Sequence, residues 1–237
     1  MVDSNNYYYK DHPANCQRYD YWGQVKRTIN GKSVNEEQID LIVDSICDGI
    51  SLQSQDRVLD LCCGNGALTH RVFARCSGGV GVDFSKFLIN VAQSDFAKPP
   101  RETYVVSDVL TYMRSAAYLQ FNKVVCYGAF MFFKDNEAIE LLQLVRQRYP
   151  KVSAMFLGNL PDLDRIKNFS GSSSGKLGVE KRDDTAMGIW RSQAEIHFLA
   201  GKSGWNAKIS FMPKNFFASN YRFDVVLSTQ SEKKDIQ

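Results

Sequence analysis

The sequence predicts an α/β fold, a doubly wound, mostly parallel sheet with helices on both faces. Two observations carry that expectation. From Arg57 onward, short apolar runs alternate with helical patterns. One of those runs also passes through a glycine turn directly into a helical pattern, in VLDLCCGNGALTH, Val58–His70. Strands alternating with helices imply βαβ units, and their right-handed crossovers cover both faces of a parallel sheet. At 237 residues the chain suits one large domain with a substantial core.

Taken in order, the chain before Gln53 is aromatic and polar, then helical. NEEQIDLIVDSICDGI sets Ile39, Ile42, Ile46 and Ile50 at spacings of three and four. Ser33 and Glu36 stand at capping-box spacing ahead of it. Strands are expected at Arg57–Leu61, Gly79–Val82, Thr103–Val106, Asn122–Tyr127 and Ser153–Leu157. Between them lie helical patterns at Ala67–Arg75, Lys86–Ser94 and the periodic NEAIELLQLVRQRY. The rhythm then breaks. Residues 162–191 are polar, contain the tract SGSSSGK, and are too long for an ordinary connection, so they read as a lid or substrate insertion. A helix at Ser192–Ser203 follows, ending at Gly204. Two strands, Asn206–Phe211 and Arg222–Ser228, have no helix between them and can pair antiparallel. The expected organisation is one domain over 1–237: a flap and helix at 1–52, a core at 53–229 and a tail at 230–237.

Composition excludes several classes. Hydrophobic residues make up 44% and charged residues 23%, unlike a disordered chain. No apolar run nears the roughly 18 residues a membrane span needs, and MVDSNNYYYKDH lacks the pattern of a secretory signal. A cytoplasmic protein with no membrane partner is expected. The six cysteines form no Cys-x-x-Cys pair and have no histidine at zinc spacing, so neither metal nor disulfide is expected. A net charge of +3, in short interrupted basic groups, is too thin for a nucleic-acid face.

The glycine turn Gly64-Asn65-Gly66 lets a ligand approach the backbone, and the helix after it offers unpaired N–H groups. Asp83 ends the second strand 23 residues after Asp60, where an acid accepts hydrogen bonds from ribose hydroxyls. Asp108, in SDVL, ends the third strand beside the same cleft. Asp60 discriminates between ligands. A dinucleotide would lay its pyrophosphate against the turn and the helix N-terminus, and a carboxylate there repels it. At 4 Å and an effective dielectric near 20, unit charges interact by about 4 kcal/mol, attractive for a ligand carrying an ammonium and a sulfonium. Thr69 also replaces the third glycine of a dinucleotide fingerprint. These features point to S-adenosylmethionine.

With those residues in view, the chain resembles the class I S-adenosylmethionine-dependent methyltransferases. VLDLCCGNGALT is similar to their first motif, VGVDFS to their second-strand acid and VVSDVL to their adenine-side acid. SGWNAKISFMP and YRFDVVLS resemble their last helix–strand turn and final strand. The resemblance spans about 53–229 and implies a Rossmann-like seven-stranded sheet in which only the last-inserted strand is antiparallel. It implies that Asp60, Cys62 and the Gly64-Asn65-Gly66 backbone hold the methionine moiety. Asp83 would hold the ribose and Phe84 would pack on the adenine. Asp108, flanked by Ser107 and Val109, would bind the adenine edge, and Tyr127 and Gly128 would line the methyl-donor end. The double cysteine, Cys62-Cys63, departs from the family's small residues.

In the N-terminal segment, Tyr19, Tyr21 and Trp22 stand beside Lys26 and Arg27. They form either an aromatic lid or packing for the first helix, with Arg27 or Lys26 placed to pair with the methionine carboxylate. This segment and the YRFDVVLS ending are similar to small-molecule methyltransferases of bacterial surface-polysaccharide and sialic-acid-like sugar clusters. The acceptor expected on that analogy is a small polar molecule, a sugar or nucleotide sugar, and the protein a monomer or homodimer. Methyl transfer needs alignment foremost, and an oxygen or amine acceptor gains from a general base. His197, Tyr127 and Asp184 are the catalytic candidates; His12, Asp183 and Glu195 are alternatives, and His70 reads as structural. Three rivals stand beside this reading: an RNA or protein methyltransferase, a nicotinamide oxidoreductase opposed by Asp60 and Thr69, and a non-catalytic adapter on the same fold.

Overall fold

The structure is a computed structural model and describes residues 12–115, 120–169 and 187–229. A 3-10 turn at Pro13–Asn15 leads into the short helix α1, Tyr21–Gln24. Next come a hairpin of β1, Thr28–Ile29, and β2, Lys32–Ser33, and the helix α2, Glu36–Gly49. The core follows as β3 Val58–Leu61, α3 Ala67–Phe73, β4 Gly79–Asp83, α4 Lys86–Asp95, β5 Glu102–Val106, α5 Val109–Ser115, β6 Lys123–Tyr127, α6 Asp135–Arg148 and β7 Ala154–Pro161. It closes with α7 Gln193–Lys202, β8 Asn206–Ser210 and β9 Arg222–Ser228.

Seven strands form one sheet in the order β5-β4-β3-β6-β7-β9-β8. β9 is antiparallel to both its neighbours; every other pairing is parallel. This is the seven-stranded arrangement that the resemblance implied. Both faces are covered, so β3, β4 and β6 are buried at every position, which is why they read as mainly apolar runs broken only by Asp60, Asp83 and Lys123. One face carries α5, α6 and α7, packed on Leu59, Leu61, Val124 and Leu157. The other carries α2 and α3, packed on Val58, Val125, Tyr127 and Phe156. Ile39, Ile42 and Ile46 are fully buried there, each contributing about 1.5–3 kcal/mol relative to exposure. The strand order reverses between β3 and β6, and a doubly wound sheet opens its ligand crevice at the carboxyl ends of such strands.

Several local expectations need correction. Ser33 does not cap α2: it lies in β2 and its hydroxyl donates to Asp20. Asn35 is the cap, its side chain accepting from the Gln38 N–H at 3.1 Å. The β1–β2 hairpin was not expected, although its turn is Asn30-Gly31, with φ of 51° and 77°, the residue pair such turns favour. Nor was α5, whose seven residues are too few to show a helical period. β7 runs to Pro161, beyond the expected end at Leu157, with a register shift between Leu157 and Leu160.

The 162–191 segment is described only at its ends; residues 170–186, with the SGSSSGK tract, lie outside the described residues. Those ends meet. Asp162 and Arg191 form a parallel bridge, and the rings of Phe169, Trp190 and Tyr221 cluster at 4.9–6.3 Å. Among the described residues no helix is long and apolar enough to cross a membrane.

Candidate functional site

The site is built at the carboxyl ends of β3, β4 and β5. After β3 the chain turns through three left-handed residues, Cys62, Gly64 and Gly66, with φ of 61°, 60° and 78°. For Cys62 this conformation costs about 1–2 kcal/mol, so the surroundings must hold it. They do so from β4: Cys63 N–H donates to Val82 O, and Gly64 N–H to Asp83 Oδ2, both at 3.0 Å. Asp83 Oδ1 accepts from Ser85 N–H at 2.8 Å. Its carboxylate is thereby fixed by two backbone donors, and each oxygen retains a lone pair for a hydroxyl of a ligand. Burial raises the Asp83 pKa, and the two backbone bonds hold it down.

Asp60 lies beneath the turn, 6% exposed. Burial pushes its pKa up to about 7, against a hydrogen bond from Thr69 and the charge of Arg27. Thr69 Oγ1 donates to Asp60 Oδ2 at 2.5 Å. The residue that breaks a dinucleotide glycine fingerprint is thus the partner of the acid above it, a role that sequence reading missed. Beyond Asp83, Phe84, Phe87 and Val106 leave an exposed apolar surface at the ends of β4 and β5. Asp108 is exposed beside it and caps α5 by accepting from Thr111 N–H at 2.9 Å. Ser107 N–H donates to Asp83 O at 2.9 Å, tying the two strand ends together, while Val109 turns into the core. A half-ionised buried acid, a fixed carboxylate with spare lone pairs and a flat apolar shelf suit a ligand carrying a cation, vicinal hydroxyls and an aromatic base.

Residues 58–149 match the family described as the methyltransferase domain. The fold is that of the class I methyltransferases. Magnesium protoporphyrin IX methyltransferase of Synechocystis, solved with bound SAM, superposes with a TM-score of 0.61 at 16% identity, covering 97% of this chain and 99% of that one. An S-adenosylmethionine-dependent methyltransferase of Clostridium acetobutylicum gives 0.65 at 13% identity, covering 91% and 100%. In sequence, an uncharacterized methyltransferase of Schizosaccharomyces pombe is 34% identical over 74 residues, 31% of this chain. That match spans only 26% of the relative's length.

In this chain the flap is bound to the glycine turn itself. Asn65 Nδ2 donates to Tyr21 O at 2.8 Å and to Gln24 Oε1 at 2.9 Å. A Cβ at Gly64 would lie 2.9 Å from Val25 Cγ1, so the flap is one reason for that glycine. At Gly66 the neighbours are Ala92 and Tyr104, at 2.8 and 2.9 Å, so this glycine serves packing of helix on strand. The aromatics of the flap divide. Trp22 is buried and donates from Nε1 to Glu36 at 3.2 Å; Tyr21 donates from its hydroxyl to Asp95 at 3.0 Å; Tyr19 is exposed. Packing, the second of the two alternatives, describes Trp22 and Tyr21.

Of the two basic candidates, Arg27 is the one brought into the cleft. Its guanidinium lies 5.6 Å from the centre of the Trp22 ring and 5.2 Å from that of Tyr127. Burial lowers its pKa, and the charge of Asp60 opposes that shift. Tyr127 ends β6 deeply buried, and Gly128 follows with φ 74°, its N–H donating to Gly158 O at 2.9 Å.

The other catalytic candidates are not assembled there. His197 is exposed on α7, which packs on α6 and β8 at the opposite edge of the sheet from β4 and β5. His12 bonds Gly23 O at 3.0 Å within the flap, and His70 bonds the buried Glu102 at 2.8 Å. Glu195 closes the capping box of α7 with Ser192. Asp183 and Asp184 lie outside the described residues. Tyr127 remains, but burial holds its phenol well above its usual pKa. It is therefore a neutral hydrogen-bonding group and not a base at neutral pH.

Proposed function

We propose that this protein transfers a methyl group from S-adenosylmethionine to a small polar acceptor of the sugar or nucleotide-sugar class. The observation that carries the reading is the pairing of Asp83, held by Gly64 and Ser85, with the buried Asp60 across the glycine turn. When bound, S-adenosylmethionine supplies an electrophilic methyl group on a sulfonium.

Asp83 would accept both ribose hydroxyls, Phe84 would cover one face of the adenine, and Asp108 with the Ser107–Val109 backbone would meet its edge. Asp60 would balance the ammonium and sulfonium charge through the turn, and Arg27 would pair with the methionine carboxylate. Tyr127 and Gly128 would border the methyl group. The reaction breaks the sulfur–methyl bond and forms an oxygen–methyl or nitrogen–methyl bond. The sulfonium becomes a neutral thioether and the acceptor's proton leaves to solvent. Acceleration then rests on alignment more than on a base. The clasped ends of the 162–191 segment stand after β7 and before α7, beside that end of the sheet.

The test is calorimetric titration with S-adenosylmethionine, S-adenosylhomocysteine and NAD. Micromolar binding of the first two, weakened in Asp83→Ala, is expected. Binding of NAD alone overturns the reading of Asp60.

A further inference from the structure

Next to Tyr127, two buried polar atoms have no hydrogen-bond partner: the Tyr127 hydroxyl and Asn159 Oδ1. Buried polar groups in folded proteins are almost always paired, so each orphan needs an explanation. These two belong together. Tyr127 ends β6, and its ring lies across Gly158 of β7, where a Cβ would meet it at 2.2 Å. Asn159 is the next residue, and its amide nitrogen lies 3.8 Å from where a Cβ of Gly128 would stand.

The backbone at Asn159 is held in an unusual state. Its φ is 64°, at the register shift in β7. Two side chains of β9 clamp it. Asp224 Oδ1 accepts from the Asn159 N–H at 2.7 Å, and Arg222 Nη1 donates to the Asn159 carbonyl. Asp224 also accepts from Ser45 at 3.2 Å, and Arg222 reaches Met187 Sδ at 3.5 Å. Strained residues held by their surroundings cluster at functional sites. Asp224 and Arg222 are committed to the Asn159 backbone, and Arg27, on the other side of Tyr127, faces the cofactor end of the cleft. What is offered to a ligand is a neutral amide and a neutral phenol.

We propose that Asn159 and Tyr127 recognise the methyl acceptor, and that this acceptor is an uncharged molecule bearing hydroxyl donors. Asn159 Oδ1 accepts from a hydroxyl next to the one methylated, and the Tyr127 hydroxyl bonds the nucleophilic oxygen. A carboxylate or phosphate would set its lone pairs against Asn159 Oδ1, and the guanidinium nearest Tyr127, that of Arg27 at 5.2 Å from its ring, is the one given to the methionine carboxylate. Of the sugar and nucleotide-sugar acceptors proposed above, this selects the neutral sugar end as the part held in the site. The inference rests on the methyl-transfer reading.

The experiment compares the full chain with Asn159→Gly and Asn159→Asp. Glycine accepts the left-handed backbone that Asp224 and Arg222 hold, so the fold is kept while the amide is removed. Aspartate keeps an acceptor oxygen in place. Each protein is titrated with S-adenosylmethionine, then incubated with the methyl-labelled cofactor and, in parallel, the deproteinised small-molecule extract and the macromolecular fraction of the cells that express it. Labelled products are separated by anion exchange before and after mild acid hydrolysis of any nucleotide. Expected is label on a neutral hydroxyl-bearing product or released sugar. Asn159→Gly should lower its formation at limiting acceptor at least tenfold with unchanged cofactor affinity, and Asn159→Asp should retain more transfer than Asn159→Gly. Label on an anionic group, on an amine or on macromolecules overturns the proposal, as does undiminished transfer by Asn159→Gly. Intact cofactor binding with no labelled product from any fraction overturns it too. Absence of cofactor binding fails the methyl-transfer reading instead.

Discussion

Replacing Thr69 by valine removes one hydroxyl and almost no volume, and it isolates the electrostatics of Asp60. Thr69 is fully buried, and its Oγ1 is the donor to Asp60 Oδ2 at 2.5 Å. A hydrogen bond to a charged group contributes about 1.5–3 kcal/mol, and one pKa unit corresponds to about 1.4 kcal/mol. Losing it should raise the Asp60 pKa, already about 7, by roughly one to two further units. A cationic ligand binds the ionised form. For the unaltered protein, affinity should therefore rise with pH through about 7, with a fall of about fivefold between pH 7 and pH 6. In Thr69→Val the same rise should be displaced upward, so that binding at pH 7 is about five- to fiftyfold weaker and recovers towards pH 9.

Stability follows the opposite sense. The folded pKa is raised above the unfolded value near 3.9. The stability that Asp60 contributes is thus fully present below about pH 4 and lost as pH rises through 7. Calorimetric titration of both proteins with S-adenosylmethionine from pH 6 to 9 reads this out, and the difference between them cancels titration of the ligand's own amino group. Superimposable pH profiles in the two proteins would refute the role given to Asp60.

Other perturbations address other contacts. Asp83→Ala should cost about 1.5–3 kcal/mol of S-adenosylmethionine affinity, because charge-assisted bonds to the ligand are lost; unchanged calorimetric affinity would remove the ribose assignment. Asn65→Ala breaks the bonds to Tyr21 O and Gln24 Oε1, which should free the flap by about 1–2 kcal/mol. Hydrogen exchange over 18–27 should quicken, with faster release of S-adenosylhomocysteine. His197→Ala should leave cofactor affinity, transfer rate and its pH profile unchanged, since the residue is exposed on α7; a lost alkaline or acidic limb would return it to the chemistry.

What the sequence disclosed was whatever is encoded locally. β3, β4 and β6 were legible because burial on both faces makes their runs mainly apolar. Asp60 and Asp83 were legible because strand ends followed by turns place side chains at the crevice. The Asn30-Gly31 hairpin was encoded as plainly and was overlooked beside the aromatic residues before it. Thr69 was seen only as a missing glycine, although a hydroxyl nine residues past an acid, across a strand–turn–helix, can reach back to it. Asn159 could not be found this way. Its conformation depends on Asp224 and Arg222, which lie 65 and 63 residues further along, and no local pattern announces a clamp supplied by another strand.

The joined ends of the 162–191 segment have a consequence for how the chain can change. Asp162 and Arg191 are bridged, Leu163 N–H donates to Arg191 O at 3.1 Å, and Phe169, Trp190 and Tyr221 meet as a ring cluster. With the entrance and exit fixed side by side, lengthening the intervening chain adds only about 0.6 kcal/mol of closure entropy per doubling. The junction works as a graft point: inserts of different length and composition can be exchanged there while the strands on either side keep their register.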